Sequence, residues 1–161
     1  MEVAVFPETT LTDYEIERGK PMPSRIHALV QKRLAVFLDN NYSSRFEGYT
    51  ELTLNTPGEK STPDIALLPI EEIDWLHDEI KVSEAPLLTV EILSPRQSVQ
   101  SLLDKTEVYF DFGVKSCWVV LPSLKTIYVF AAPGQYQPFH APDTLHDPNL
   151  DIHIPLEKIF S

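Results

Sequence analysis

The chain has 161 residues, 43% of them hydrophobic and with no run of about 18 apolar ones, so it is expected to be a single soluble domain, residues 1–161, without a membrane span. Thirteen basic residues against 24 acidic ones give a net charge of -11, which excludes the basic stripe that tight duplex binders carry. The one cysteine, Cys117, excludes an internal disulfide; with an N-terminus that lacks a basic region followed by an apolar run, it points to the reducing cytoplasm.

In chain order the pattern is α/β. TDYEIERGKPMP predicts a strand pair or turn region ending at Pro21 and Pro23, and residues 24–39 then take helical period with Ser24 as cap. GYTELTLN, 48–55, alternates as a strand; PDIALLP, 63–69, is a second strand ended by Pro69, and the two are expected to pair. Between the second and third strands, EEIDWLHDEIKVSE, 71–84, is the most acidic stretch and reads as a solvated loop with one helical turn at most. PLLTVEIL, 86–93, is apolar on both faces apart from Thr89 and Glu91, as a central covered strand is. A second helix is expected from about Ser98 to Phe112, with Gly113 as the residue that stops it. Strands over 115–122 and 125–132 follow, joined tightly at Pro122 and Ser123. Residues 133–148 are expected to form an ordered surface loop and LEKIF a last helical turn.

The charges inside this frame carry the chemistry. Glu91 stands in an apolar strand, where an unpaired carboxylate costs several kcal/mol or takes up a proton, on the order of the known burial penalties. On a wheel of the second helix at about 100° per residue, Asp104, Glu107 and Asp111 define the water side. Lys105 falls instead on the arc with Val99, Leu102, Tyr109, Phe110 and Phe112, so its stem points toward the sheet. A lysine there can snorkel to solvent, or it can meet Glu91. Such a contact serves either as a structural ion pair or as part of a working site.

Asp64 adds a third charge, at a strand end set by Pro63. Brought together, Asp64 and Glu91 offer two carboxylates to a hard divalent cation, with the Lys105 ammonium beside it. Mg2+, or Mn2+ in its place, suits such a donor set, since it retains waters and takes one or two carboxylates with phosphate oxygens. The chemistry indicated is metal-assisted phosphodiester hydrolysis. Glycoside hydrolysis by paired carboxylates does not call for an ammonium beside the acids.

At these residues the chain resembles the Uma-type family of proposed bacterial endonucleases, in the PD-(D/E)XK restriction-endonuclease-like superfamily. The resemblance rests on YEIERGKPMP followed by a helix with His27, on PDIALLP, on PLLTVEILSP, and on the lysine of SLLDKTEVYFDFGVKSCWVV with a tyrosine four residues later. It implies a restriction-endonuclease-like core with a central mixed sheet flanked by helices, in α-β-β-β-α-β order with extra terminal strands. It also implies Asp64 and Glu91 as metal ligands and Lys105 as the catalytic lysine. Leu93 occupies the place of the superfamily's usual lysine, and the resemblance implies that this lysine has moved to the following helix. Ser101 stands where the family tends to carry an aspartate.

Other residues have plainer readings beside functional ones. His27, on the apolar arc of the first helix with Gln31 one turn on, is either a core histidine with a hydrogen-bond partner or a phosphate or metal contact. Glu15 and Gly19 match the family's hairpin and read most simply as turn and pairing residues, with Glu15 alternatively reaching the site. Tyr109 and Trp118 are expected in the core or at its rim, and Cys117 is expected to be inert. His140, His146 and His153 are spaced too loosely along the chain for a zinc pattern. The expected partner is nucleic acid, DNA before RNA, with Arg18, Lys20, Arg25, Lys32 and Arg33 as a local footprint. Binding is expected to be weak unless two chains or a partner complete the surface. A Mg2+-dependent endonuclease and a non-catalytic interaction module that keeps the fold both remain open.

Overall fold

Ser24 lies in extended conformation and its hydroxyl accepts from the backbone N–H of His27 at 3.1 Å, which starts the first helix, α1 (Arg25–Tyr42). The computed structural model describes Asp13 and residues 22–58 and 61–161. The expected strand pair over 12–23 therefore falls largely outside the described residues, as do Glu15, Arg18, Gly19 and Lys20. From α1 the chain runs through β1 (Phe46–Thr50), β2 (Ile65–Pro69), β3 (Leu88–Ile92), α2 (Val99–Phe112), β4 (Ser116–Leu121), β5 (Thr126–Ala132), β6 (Gln135–His140), β7 (Thr144–Asp147), β8 (Ile152–Pro155) and α3 (Glu157–Phe160). Six strands form one mixed sheet in the order β1-β2-β3-β4-β5-β6, and β7 pairs with β8 alone. Only β3 and β4 run parallel, with α2 as their crossover; every other neighbouring pair is antiparallel.

All five residues of β3 are buried, as its two-sided apolar sequence predicts for a central strand. One face of the sheet contributes Val90, Ile92, Trp118 and Val120 to a core shared with α1, the β7–β8 hairpin and α3. The opposite face contributes Cys117 and Val119 to a core with Leu102 and Tyr109 of α2. Gly113 ends α2 in the left-handed region at φ 113°, where a side chain is strained, and its N–H bonds the carbonyls of Tyr109 and Phe110.

Three sequence expectations need correction. β1 spans Phe46–Thr50, not 48–55, because Glu51 takes a left-handed backbone at φ 58° and breaks the ladder. Residues 133–148 are not a loop: β6 is the edge of the main sheet and β7 opens the hairpin. The edge place explains why β6 shows no apolar alternation and tolerates Pro138. In β7 the second inward position is a carboxylate, Asp147, which hides the period-two signal. On α2 the three acids face water as the wheel predicts, but Val99 is 40% exposed and the buried line runs through Leu102, Thr106 and Tyr109. The segment 71–84 is exposed apart from half-buried Val82, with one turn at 75–76, as its charge implies.

Cys117 is buried in β4, and burial pushes its thiol up to about 12 despite a stabilising bond from the Thr89 hydroxyl at 3.4 Å. A thiol held that high stays protonated and un-nucleophilic. Iodoacetamide at about pH 8 is therefore expected to leave the native chain unmodified and to alkylate it fully once denatured; mass spectrometry reads the difference. Rapid labelling of the native chain would contradict the buried placement.

Candidate functional site

β2 starts only at Ile65, so the last backbone donor of β3, Ile92 N–H, finds no carbonyl partner on β2. The Asp64 side chain takes that place: its Oδ2 accepts from Ile92 N at 2.7 Å. The Asp64 backbone is tied on both sides, its N–H to Val90 O at 3.0 Å and its carbonyl accepting from Glu51 N at 3.2 Å. The same Oδ2 lies 3.1 Å from His27 Nε2, reaching across from α1, and both side chains are almost fully buried. The β2–β3 register ends at Ile65↔Val90, and Asp64 and Glu91 are each the next residue beyond it. Both acids lie close enough to Tyr109 for their charges to act on its hydroxyl.

Glu91 points toward α2. Its Oε1 accepts from the Tyr109 hydroxyl at 2.5 Å and lies 3.9 Å from Lys105 Nζ. The first is a short bond to a charged acceptor; the second is an ion pair without a direct hydrogen bond. Lys105 and Tyr109 are four residues apart on α2, which sets them on one helix face over the same carboxylate. Tyr109 is fully buried, and burial first, then the negative charge of Glu91, holds its hydroxyl well above the ordinary tyrosine range. It therefore stays protonated and acts as a fixed donor to Glu91. The Lys105 side chain keeps 21% exposure against 3% for Glu91, so the ammonium sits at the boundary between the buried acid and water.

The three residues singled out in the sequence thus share one end of the β2–β3 pair. The question posed by a carboxylate in an apolar strand has a physical answer: Glu91 accepts from the Tyr109 hydroxyl of α2, and a cation on the same helix lies within ion-pair range. His27 turns out to be a buried histidine with a partner, as its plainer reading has it, and that partner is Asp64. Its other nitrogen, Nδ1, is buried with no hydrogen-bond partner among the described residues. Gln31 reaches Glu51, with Nε2 3.4 Å from Oε1. The Ser101 hydroxyl donates to Ser98 O at 2.8 Å, turned back to the helix start and away from any role beside the lysine. Sequence reasoning missed the Tyr109 bond to Glu91. The signal was present in the lysine-tyrosine spacing of four, which aligns two side chains on a helix but does not say what they face.

A groove of about 630 Å3 opens at the carboxyl ends of β3 and β4, lined by Ser24, Arg25, His27, Ser94, Gln97 and Leu124 among others. His27 belongs to both the groove and the acid cluster. Arg33 does not extend a basic surface toward it, because its guanidinium donates to the carbonyls of Ile159 at 3.0 Å and Ser161 at 2.7 Å. Within the described residues Arg33, one of the expected footprint residues, ties α1 to the last turn. No helix among the described residues is long and apolar enough to cross a membrane.

The comparisons with known proteins agree with this fold. The family model Uma2, described as "Putative restriction endonuclease", matches residues 7–156. A crystal structure of "a putative nuclease belonging to DUF820" from Anabaena variabilis ATCC 29413 superposes with a TM-score of 0.75 at 21% identity, covering 87% of this chain and 83% of that one. At that identity the likeness shows the fold. No curated protein matches the sequence.

Proposed function

The chain belongs to the Uma2 family, described as "Putative restriction endonuclease", and from that premise we propose that it is a divalent-metal-dependent endonuclease hydrolysing phosphodiester bonds of nucleic acid, DNA before RNA. The observation that carries the reading is the Lys105 ammonium held 3.9 Å from buried Glu91, with Asp64 at the same end of the β2–β3 pair. An ion pair kept only for stability gains little over an apolar pair of the same volume. An ammonium at the water boundary of two carboxylates suits attack on an anion.

Asp64 and Glu91 are the residues that would hold Mg2+ or Mn2+. The donor set fits by its chemistry: both groups offer hard carboxylate oxygens, the ligand type that such ions take. When bound, the ion supplies Lewis-acid polarisation of a phosphoryl oxygen. The chain's own residues do the rest. Lys105 orients the attacking water and stabilises the charge that grows on the phosphoryl oxygens as the new P–O bond forms and the bond to the leaving sugar oxygen breaks. Tyr109 fixes the rotamer of Glu91, and His27 fixes that of Asp64.

Nucleic-acid affinity is proposed to be modest and to need a second copy or a partner, because the net charge is -11 and both Arg33 and Arg45 are committed to backbone carbonyls. The proposed setting is the reducing cytoplasm, which suits a buried, unpaired Cys117. The second reading, a non-catalytic module that keeps the fold, draws on Ser101, whose hydroxyl stays within the helix cap where the family tends to place an acid.

Thermal melts with and without Mg2+ separate the two. At 100 times its dissociation constant a ligand adds about 2.7 kcal/mol, or roughly 5–10 °C for a domain of this size. That increment is expected in the native chain and expected to vanish in Asp64→Asn and in Glu91→Gln. No Mg2+ increment in the native chain favours the module.

A further inference from the structure

We propose that the β7–β8 hairpin carries a second metal site, built from His146, Asp151 and His153 and suited to a divalent transition ion of the zinc class. Seven positions apart in sequence, the two histidines are direct cross-strand partners in the hairpin register. Leu145, Asp147, Ile152 and Ile154 of the same strands point inward and are buried, so the alternation turns both imidazoles outward. Their rings stack with centroids 4.3 Å apart and planes 10° from parallel. Asp151, just before β8, brings Oδ1 to 3.1 Å from His153 Nε2 and 4.0 Å from His146 Nε2. One ligand atom from each of the three residues lies within 4.8 Å of the others.

The backbone under these side chains is held from several sides. The Tyr42 hydroxyl accepts from His153 N at 2.7 Å and donates to His153 O at 3.1 Å. Arg45 donates to Asp151 O at 3.1 Å and also to Leu150 O. Asp147, beside His146, is fully buried and accepts from Trp118 Nε1 at 2.8 Å. Asp151 itself sits in the left-handed region at φ 51°. Ligand spacing is thus fixed by the fold, while the side chains, about half to three-quarters exposed, remain free to turn.

Donor chemistry selects the ion. Two imidazole nitrogens and one carboxylate oxygen suit Zn2+ and its neighbours, with a coordination position left for water or a ligand, whereas Mg2+ prefers oxygen alone. A shared ion must lie near the plane of each ring, so binding opens the stack by side-chain rotation. The hydrogen bond between His153 Nε2 and Asp151 at 3.1 Å also gives way, the Nε2 proton passing to Nδ1 of the same ring so that the nitrogen can donate its lone pair. This site is independent of the nuclease reading.

Calorimetric titration of the full chain with Zn2+ tests it, with Mg2+ in excess to occupy the acid pair. The native chain is expected to bind one equivalent more tightly than His146→Ala/His153→Ala, by at least the roughly 10-fold to 100-fold that even an outer-shell partner is worth. Asp64→Asn/Glu91→Gln is expected to keep that equivalent. Asp151→Asn, which asparagine's tolerance of the left-handed region lets fold, is expected to weaken it. Equal titrations of the native chain and the double histidine variant would overturn the proposal, as would loss of the equivalent in the acid-pair variant. Ring NMR gives a second reading: the His146 and His153 signals should shift together on Zn2+ addition, and a shift confined to His77, which pairs with Asp74 alone at 2.8 Å, would also overturn it.

Discussion

Lys105→Met, which keeps the length of the stem and removes the ammonium, is expected to lower Mg2+-dependent nicking of plasmid by about 10²-fold or more while shifting the melting temperature little. The reasoning is electrostatic. Lys105 contributes no hydrogen bond to Glu91 at 3.9 Å, and Tyr109 already occupies the same oxygen at 2.5 Å. Removing the charge at that partly exposed boundary therefore leaves the buried carboxylate with its main donor and costs the fold little. What disappears is the cation beside the attacked phosphate, and one such stabiliser of developing charge accounts for about 10²–10³ in rate. Tyr109→Phe is the companion control. It leaves the ammonium in place but frees the Glu91 rotamer, so activity should fall through loss of metal affinity, recoverable in part at higher Mg2+. Retained cleavage in Lys105→Met would remove the lysine from the mechanism; a large fall in melting temperature would instead mark it as a structural ion.

Asp147→Ala is expected to be the most destabilising single change outside the proposed site, by about 3–5 kcal/mol, because several buried donors lose their acceptor at once. The carboxylate is fully buried and gathers four donors from two segments, β4 and the turn after β7. Trp118 Nε1 reaches Oδ2 at 2.8 Å, while Oδ1 accepts from Ser116 Oγ at 3.1 Å and from the backbone N–H groups of Asn149 at 2.9 Å and Leu150 at 3.2 Å. Truncation strands the buried donors of Ser116, Trp118 and Leu150 away from water, each at about 1–3 kcal/mol before relaxation. For a domain of this length that corresponds to a fall in melting temperature of roughly 10 °C, readable by calorimetry. Asp147→Asn keeps one acceptor oxygen and should lie between the two. The hairpin that carries His146 and His153 hangs on this same group, so the alanine variant is also expected to loosen Zn2+ binding there. An unchanged melting temperature would show that the hairpin is held by its apolar contacts alone.

The core elements were legible because each carries its own local signal. Ser24 and Ser98 cap helices, Gly113 stops one in the left-handed region, and β3 is apolar on both faces because it is covered on both. An acid in an apolar strand, the helix wheel and a strand end at Pro63 drew attention to Glu91, Lys105 and Asp64, and the family resemblance then gave them roles. β6 and β7 were not legible, since an edge strand need not alternate and Asp147 places a charge where the pattern expects a hydrophobe.

Sequence by itself determined the order of helices and strands in the core, the family, and which acids are out of place among apolar neighbours. Only the tertiary structure decided what those groups touch: His27 on Asp64, Tyr109 on Glu91, Arg33 on the last turn, and His146 beside His153. Local propensity acts over a few residues and leaves its mark in the chain, whereas the first three contacts join residues 18 to 128 positions apart, beyond any short window, and the histidine pair depends on a strand register that the sequence did not reveal.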